Sequence, residues 1–181
     1  MKKLSTFITA LVVILFLSAC NNSQSLQQYY VENKENKDFI AVDVSTTLLN
    51  IDETSLNDEA KEAYKSVKKM NILAYQTKGE EDPNYDIQKK RVLEILKDEK
   101  YQQLMKFNSK DMKITVKYIG DDTSIKELIV FGTKKEFGFG VVRLLGDDMK
   151  PEKMITLIDA FKNSDFEASD FGDLQGLLKS I

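Results

Sequence analysis

Three apolar-rich stretches, residues 111–119, 124–132 and 136–145, follow one another with almost nothing between them. The links are Gly120-Asp121-Asp122-Thr123 and Thr133-Lys134-Lys135. Such links are too short for a parallel crossover, which needs a dozen or more residues, so the three stretches pair as antiparallel hairpins. This nucleus constrains everything around it. Residues 38–44 and Met70 to Gln76 read as two further strands. Between them Leu56, Ala60, Ala63, Tyr64 and Val67 recur at helical spacing, behind Ser55 as N-cap and the first turn Asn57-Asp58-Glu59. Residues 85–107 carry a second helical stripe, with Val92, Leu93, Ile95 and Leu96 continued, past a break near Asp98, by Tyr101, Leu104 and Met105. Pro151 opens a helix with Met154, Ile155, Leu157, Ile158 and Phe161 on one face. Phe166, Phe171, Leu174, Leu177 and Leu178 mark a last short helix, and residues 22–33 a loose one around Leu26, Tyr29 and Tyr30. The order predicts an α+β fold: a mostly antiparallel sheet of about five strands with helices packed on one face. Residues 37–181 then form a single domain, which buries about 70% of its unfolded surface.

The start of the chain is an address. Lys2 and Lys3 precede an apolar run from Ala10 to Leu17, well short of the roughly 20 residues that span a bilayer. Residues 1–19 are expected to be a secretory signal peptide. Leu17-Ser18-Ala19-Cys20 resembles the lipobox of bacterial lipoproteins, and Cys20 is the only Cys of the chain. That resemblance implies cleavage before Cys20, acylation of its thiol, and residues 20–36 as lipidated Cys and tether. Two or three acyl chains anchor stably, at about 0.8 kcal/mol per buried CH₂. Loss of Lys2 and Lys3 leaves 24 basic against 29 acidic side chains, a net charge of −5. Asn21 and Asn22 stand where inner-membrane retention commonly uses Asp, and the tether lacks an acidic run. The expectation is therefore an envelope protein on the periplasmic side of an outer membrane, held by its N-terminal lipid. The alternative is an ordinary signal peptide followed by an incidental Cys.

A second resemblance rests on the run Tyr101-Gln102-Gln103-Leu104-Met105, then Met112 to Tyr118, Ile125 to Val130, Val141 to Gly146 and the Pro151 helix. Over roughly residues 38–163 this is similar to the small envelope proteins of Bacteroidetes grouped as domain of unknown function 4252. Those proteins often carry a lipobox. The resemblance implies class and location, with no activity attached.

Composition excludes several chemistries. The chain of 181 residues has no His and a single Cys. Imidazole bases, Ser-His-Asp triads, His-ligated zinc, Cys-based metal sites and disulfide frameworks are thereby removed. A pI near 5.2 gives no support to nucleic-acid binding. No cofactor, metal or catalytic residue is implied.

Strand register yields the sharpest expectations. A turn centred near Lys134 sets Ile129 opposite Phe139 and Glu127 opposite Val141, with Arg143 diagonal to Glu127 on the same face. A turn centred between Asp121 and Asp122 adds Met112, Ile114, Val116 and Tyr118 to that face. Glu127 and Arg143 are then opposite charges at the end of an apolar face and are expected to pair, because a lone buried charge is far costlier. The pair either sets register and stability or forms, with Tyr118, the charged spot of a small-ligand pocket. On the other face Leu128, Val130, Val142 and Leu144 make an apolar strip, either a partner surface or a seat for the tail 164–181 or the N-terminal segment.

Weaker signals carry little. Gly138-Phe139-Gly140 lacks the helix and third Gly of a phosphate loop. Asp121-Asp122 and Asp147-Asp148 lie in turns, where adjacent carboxylates are solvated and do not converge on a cleft. Glu80-Glu81-Asp82 lacks an EF-hand ligand pattern. Ser66-Val67-Lys68-Lys69 has S-x-x-K spacing on what reads as an amphipathic helix surface. The expectation is a non-catalytic, lipid-anchored envelope protein that binds another envelope component. The alternatives are a ligand sensor at Glu127 and Arg143 and, last, a carboxylate-dependent envelope hydrolase.

Overall fold

The computed structural model describes residues 24–48, 54, 56–79, 81–108, 112–134 and 137–163. Cys20 and the expected tail helix lie outside them. Helix α1 (Leu26–Asn33) leads into β1 (Phe39–Ser45); α2 (Asp58–Ser66) and β2 (Val67–Gln76) follow. Next come α3 (Pro83–Ile95), β3 (Gln102–Asn108), β4 (Met112–Gly120), β5 (Ile125–Lys134), β6 (Gly138–Met149) and α4 (Pro151–Asn163). The strands form one fully antiparallel sheet in the order β1-β2-β6-β5-β4-β3. The fold is α+β, with six strands where the sequence suggests about five. The β3–β6 meander returns the chain beside β2, so β2 and β6 sit mid-sheet.

Side-chain oxygens start the helices. Ser25 and Gln28 form a capping box on α1. Asn57, in place of the expected Ser55, caps α2 by accepting from Ala60 N at 2.8 Å. Asp82 caps α3 through Asn84 N and Tyr85 N, with Pro83 at the first helical position.

The sixth strand, β3, lies beyond the break near Asp98 in residues 85–107, which the spacing reads as helical on both sides. The helix ends at Ile95, and Lys117 Nζ donates to Leu96 O at 2.6 Å and Tyr101 O at 2.7 Å, placing a cation at its C-terminal end. In β3 the pairing shifts between Gln103 and Met105, so Leu104 is a bulge residue. Leu104 and Met105 consequently pack into the same core, and strand alternation is hidden.

A bulge also corrects the face assignment of β4. Ile119 pairs with Glu127 but Gly120 pairs with Ile125, leaving Lys126 extra. The slip sends Met112, Ile114, Val116 and Tyr118 to the face opposite Glu127. Gly120 makes the bend possible: its φ is +152°, and a Cβ there would lie 2.2 Å from Ser124 O. The β5–β6 hairpin keeps its predicted faces but not its register. Lys134 pairs with Gly138, so Glu127 stands opposite Leu145 and Ile129 opposite Arg143.

Helices cover both faces. On one, α1 and α3 bury Phe39, Leu73, Tyr75, Ile129, Phe131, Phe139 and Val141. Tyr75 and Phe139 stack there with ring centroids 5.5 Å apart. On the other, α2 and α4 pack Ala60, Ala63, Met154 and Leu157 against Val116, Tyr118, Ile125 and Leu128. The expected one-sided arrangement fails because the slipped β4 carries its apolar residues to the second face, which must also be covered.

Candidate functional site

Arg143 lies on β6 beneath α1, with its side chain 5% exposed. Nε donates to Glu127 Oε1 at 2.6 Å and Nη2 to Glu127 Oε2 at 3.1 Å, a two-pronged pair. Nη1 donates to Gln27 Oε1 of α1 at 2.6 Å and, more weakly, to Asn71 Oδ1 of β2 at 3.4 Å. Asn71 is the direct cross-strand neighbour of Arg143. The structure thus brings Glu127 and Arg143 together. It does not bring Tyr118, whose hydroxyl sits on the far face beside Gln102 and Asp122.

The aromatic neighbours of the pair are Tyr30 and Tyr101. Burial pushes both phenols above their ordinary value; the nearby Asp43 adds to this for Tyr30, and the Leu26 N–H donated to Tyr101 Oη opposes it. The arrangement is closed: each of the three guanidinium nitrogens of Arg143 bonds a chain group, and among the described residues no buried side-chain N or O lacks a partner. Its physical work is to hold α1 to the sheet. The polar break at Asn71, inside the apolar run Met70 to Tyr75, could have signalled it. No periodicity pointed to Gln27 or Tyr101.

The predicted apolar strip divides in two. Leu128 is fully buried under α2 and α4, and Val130 packs partly buried in the same core. Val142 belongs to a second cluster with Ile40, Val42 and Val44 of β1 and Met70, Ile72 and Ala74 of β2, and Leu144 packs against both clusters. No residue of a described helix is a member of that cluster. Ile40, Val42, Val44, Val142 and Leu144 are only half-buried there. This β1-β2-β6 surface is the larger part of the strip, and sequence reasoning missed its β1 and β2 members. Alternation at residues 40, 42, 44 and at 70, 72, 74 was the available signal.

The remaining sequence candidates are engaged locally. Asp121 accepts from Thr123 and Ser124 within its own turn. Asp147 pairs with Lys68, and Asp148 with Lys150 at 2.7 Å. Asp82 takes the helix-capping bonds plus Tyr75 Oη at 2.8 Å, and the Lys78 N–H foremost holds its carboxyl below the usual range. Ser66 ends α2, and Val67 already belongs to β2. Among the described residues no group of three His, Cys, Asp or Glu is placed to hold a metal ion, and no helix is long and apolar enough to cross a membrane.

The model of a family described as Domain of unknown function (DUF4252) matches residues 29–157. No curated protein and no solved structure matches the chain.

Proposed function

The chain belongs to the DUF4252 family, and from that premise we propose that it is a lipid-anchored protein of a bacterial cell envelope whose domain is a non-catalytic interaction module. The observation that carries the interaction reading is the apolar surface of β1, β2 and β6, half-buried on β1 and β6 and buried on β2, in whose cluster no described helix takes part. A sheet face that meets water is mostly polar, because its strands alternate apolar-in with polar-out, and a contiguous apolar surface is a place for something to bind. Anchoring at Cys20 is supported by Leu17-Ser18-Ala19-Cys20 behind a basic start and an apolar core. Acylation and an outer-membrane, periplasm-facing position are part of the same proposal.

Crosslinking in the intact native envelope, followed by mass spectrometry, tests the interaction reading. A discrete partner captured by the wild-type chain and lost in Val142→Lys supports it. A partner retained undiminished in Val142→Lys, or none above background, refutes it. Metabolic labelling with a radioactive fatty acid tests the anchor. Label on the wild-type chain should vanish in Cys20→Ala, and persistence of label would remove Cys20 from the proposal.

A further inference from the structure

We propose that residues 164–181 dock in cis on the apolar β1-β2-β6 surface. The inference rests on the reading of that surface as an interaction site and names its resident occupant.

The argument begins with what each face needs. Six strands spaced by about 4.8 Å make a sheet roughly 25–30 Å wide. A helix with its side chains is about 10 Å across, so full cover takes about three helices per face. Each face has two described helices. The part of the α1/α3 face they leave uncovered, on β3 and β4, is polar: Lys106, Asn108, Lys113 and Thr115. That part is written for water. The rest of the α2/α4 face is Ile40, Val42, Val44, Ile72, Ala74 and Val142, which is not: Ile40, Val42, Val44 and Val142 are half-buried, and Ile72 and Ala74 are buried although no residue of a described helix joins their cluster. The same sheet therefore distinguishes a surface meant for solvent from one meant for a cover.

Three features select the C-terminal segment. The first is where the chain arrives. Helix α4 packs on this same face, and its later residues Ile158 and Ala160 share a cluster with Val130 and Leu144. Leu144 also belongs to the uncovered cluster, so α4 borders the surface. The second is length. Beyond Asn163 there are 18 residues, enough for a helix of about 20 Å and a link to it. The third is pattern. Leu174, Leu177, Leu178 and Ile181 recur at i, i+3, i+4 and i+7, a single apolar stripe, with Gln175, Gly176, Lys179 and Ser180 between and Asp170 and Asp173 just before. One helix laid beside α4 would complete the face.

The chain has no Trp, so one introduced indole is a clean reporter. The full-length protein carrying Phe171→Trp is reconstituted in phospholipid vesicles, and its emission and iodide quenching are measured. Docking gives blue-shifted emission with weak quenching, and adding Val142→Lys shifts it red and restores quenching. Val42→Lys, on the edge strand, is the second test should Val142→Lys lose its far-UV circular dichroism. Red, fully quenchable emission in the parent overturns the inference. So does blue emission that neither Lys substitution changes, which would put the indole in the bilayer, or blue emission lost on dilution, which would make a second copy the occupant. Failure of the interaction reading is separable. A docked indole with no crosslinked partner refutes that reading alone.

Discussion

Replacing Arg143 with Met should destabilise the domain severely, and the cost should shrink when Glu127 is replaced as well. Arg143→Met leaves the Glu127 carboxylate, 13% exposed, without its cation. It also strips the donor from Gln27 Oε1 and Asn71 Oδ1. Removing one member of a buried pair costs about 3–5 kcal/mol, chiefly because the other charge stays behind. In a domain of this size each kcal/mol moves the melting temperature by about 3 °C, so Arg143→Met should lower it by roughly 10 °C or more. Glu127→Gln leaves Arg143 without a counter-charge and should cost about 2–4 kcal/mol on the same grounds. In the double variant no buried charge remains, and the residual loss is that of the Gln27 and Asn71 bonds, about 1–2 kcal/mol. Urea denaturation followed by far-UV circular dichroism supplies the four stabilities of the cycle. A coupling of about 3 kcal/mol or more is expected. Additivity within about 0.5 kcal/mol would show that the two groups do not interact and would refute the reasoning.

Burial raises the phenol pKa of Tyr29, Tyr30 and Tyr101 above the ordinary 10.0. Their stabilisation is therefore complete below pH 10 and is lost as pH rises from there toward the folded values. Burial raises Tyr75 and Tyr118 as well and lowers Lys117 instead, which opposes this trend with one group against five tyrosines. Phenolate absorbance should accordingly rise together with loss of circular dichroism on alkaline titration; full phenolate absorbance in a folded domain would contradict the burial. Gly120→Ala forces a Cβ to within 2.2 Å of Ser124 O at a φ of +152° and should cost about 1–3 kcal/mol, visible as a lowered urea midpoint. An unchanged midpoint would mean that the β4–β5 bulge relaxes freely. Asp82→Ala removes the α3 cap and the Tyr75 acceptor together, so it should lower the melting temperature more than Asp86→Ala, whose partner among the described residues is the surface Lys89. Equal shifts would deny the cap its role.

Short links and strong alternation made the hairpin meander legible, and so was the Pro151 helix. The Glu127–Arg143 pairing was legible for a specific reason. An error of four residues in the β5–β6 register preserves parity, so both charges stayed on one face and one diagonal apart. The β4 register was off by an odd number, and parity was lost; Tyr118 went to the wrong face with it. Both misreadings, β4 and the missing β3, trace to a single extra residue, Lys126 or Leu104. A bulge is not written in apolar periodicity, since it is the point where the period breaks. Partners from distant elements were equally invisible. Gln27 reaches Arg143 across 116 positions of sequence, and only the folded topology brings them together.

The two arginines of the chain share one task. Arg143 holds Gln27, while Arg91 of α3 donates to Gln24 Oε1 at 2.8 Å and Glu32 Oε2 at 2.6 Å and lies over the Tyr29 ring. These four partners belong to α1 or the residues just before it, while Glu127 and Asn71 fix Arg143 to the sheet. The other 24 basic residues are Lys, and the described lysines paired with carboxylates sit in largely exposed bridges such as Lys68–Asp147 and Lys97–Glu94. Lys serves where a point charge at the surface is enough; Arg stands where a planar fork must bond several acceptors at fixed angles. Under the proposed anchoring, Ser25 is five residue steps from Cys20, so α1 begins within about 17 Å of the lipid. Any pull on that tether is delivered first to α1. A helix of eight residues is too short to persist on its own, and the fork-shaped bonds of Arg91 and Arg143, with Leu26, Tyr29 and Tyr30 buried beneath, are what transmit that pull to the sheet.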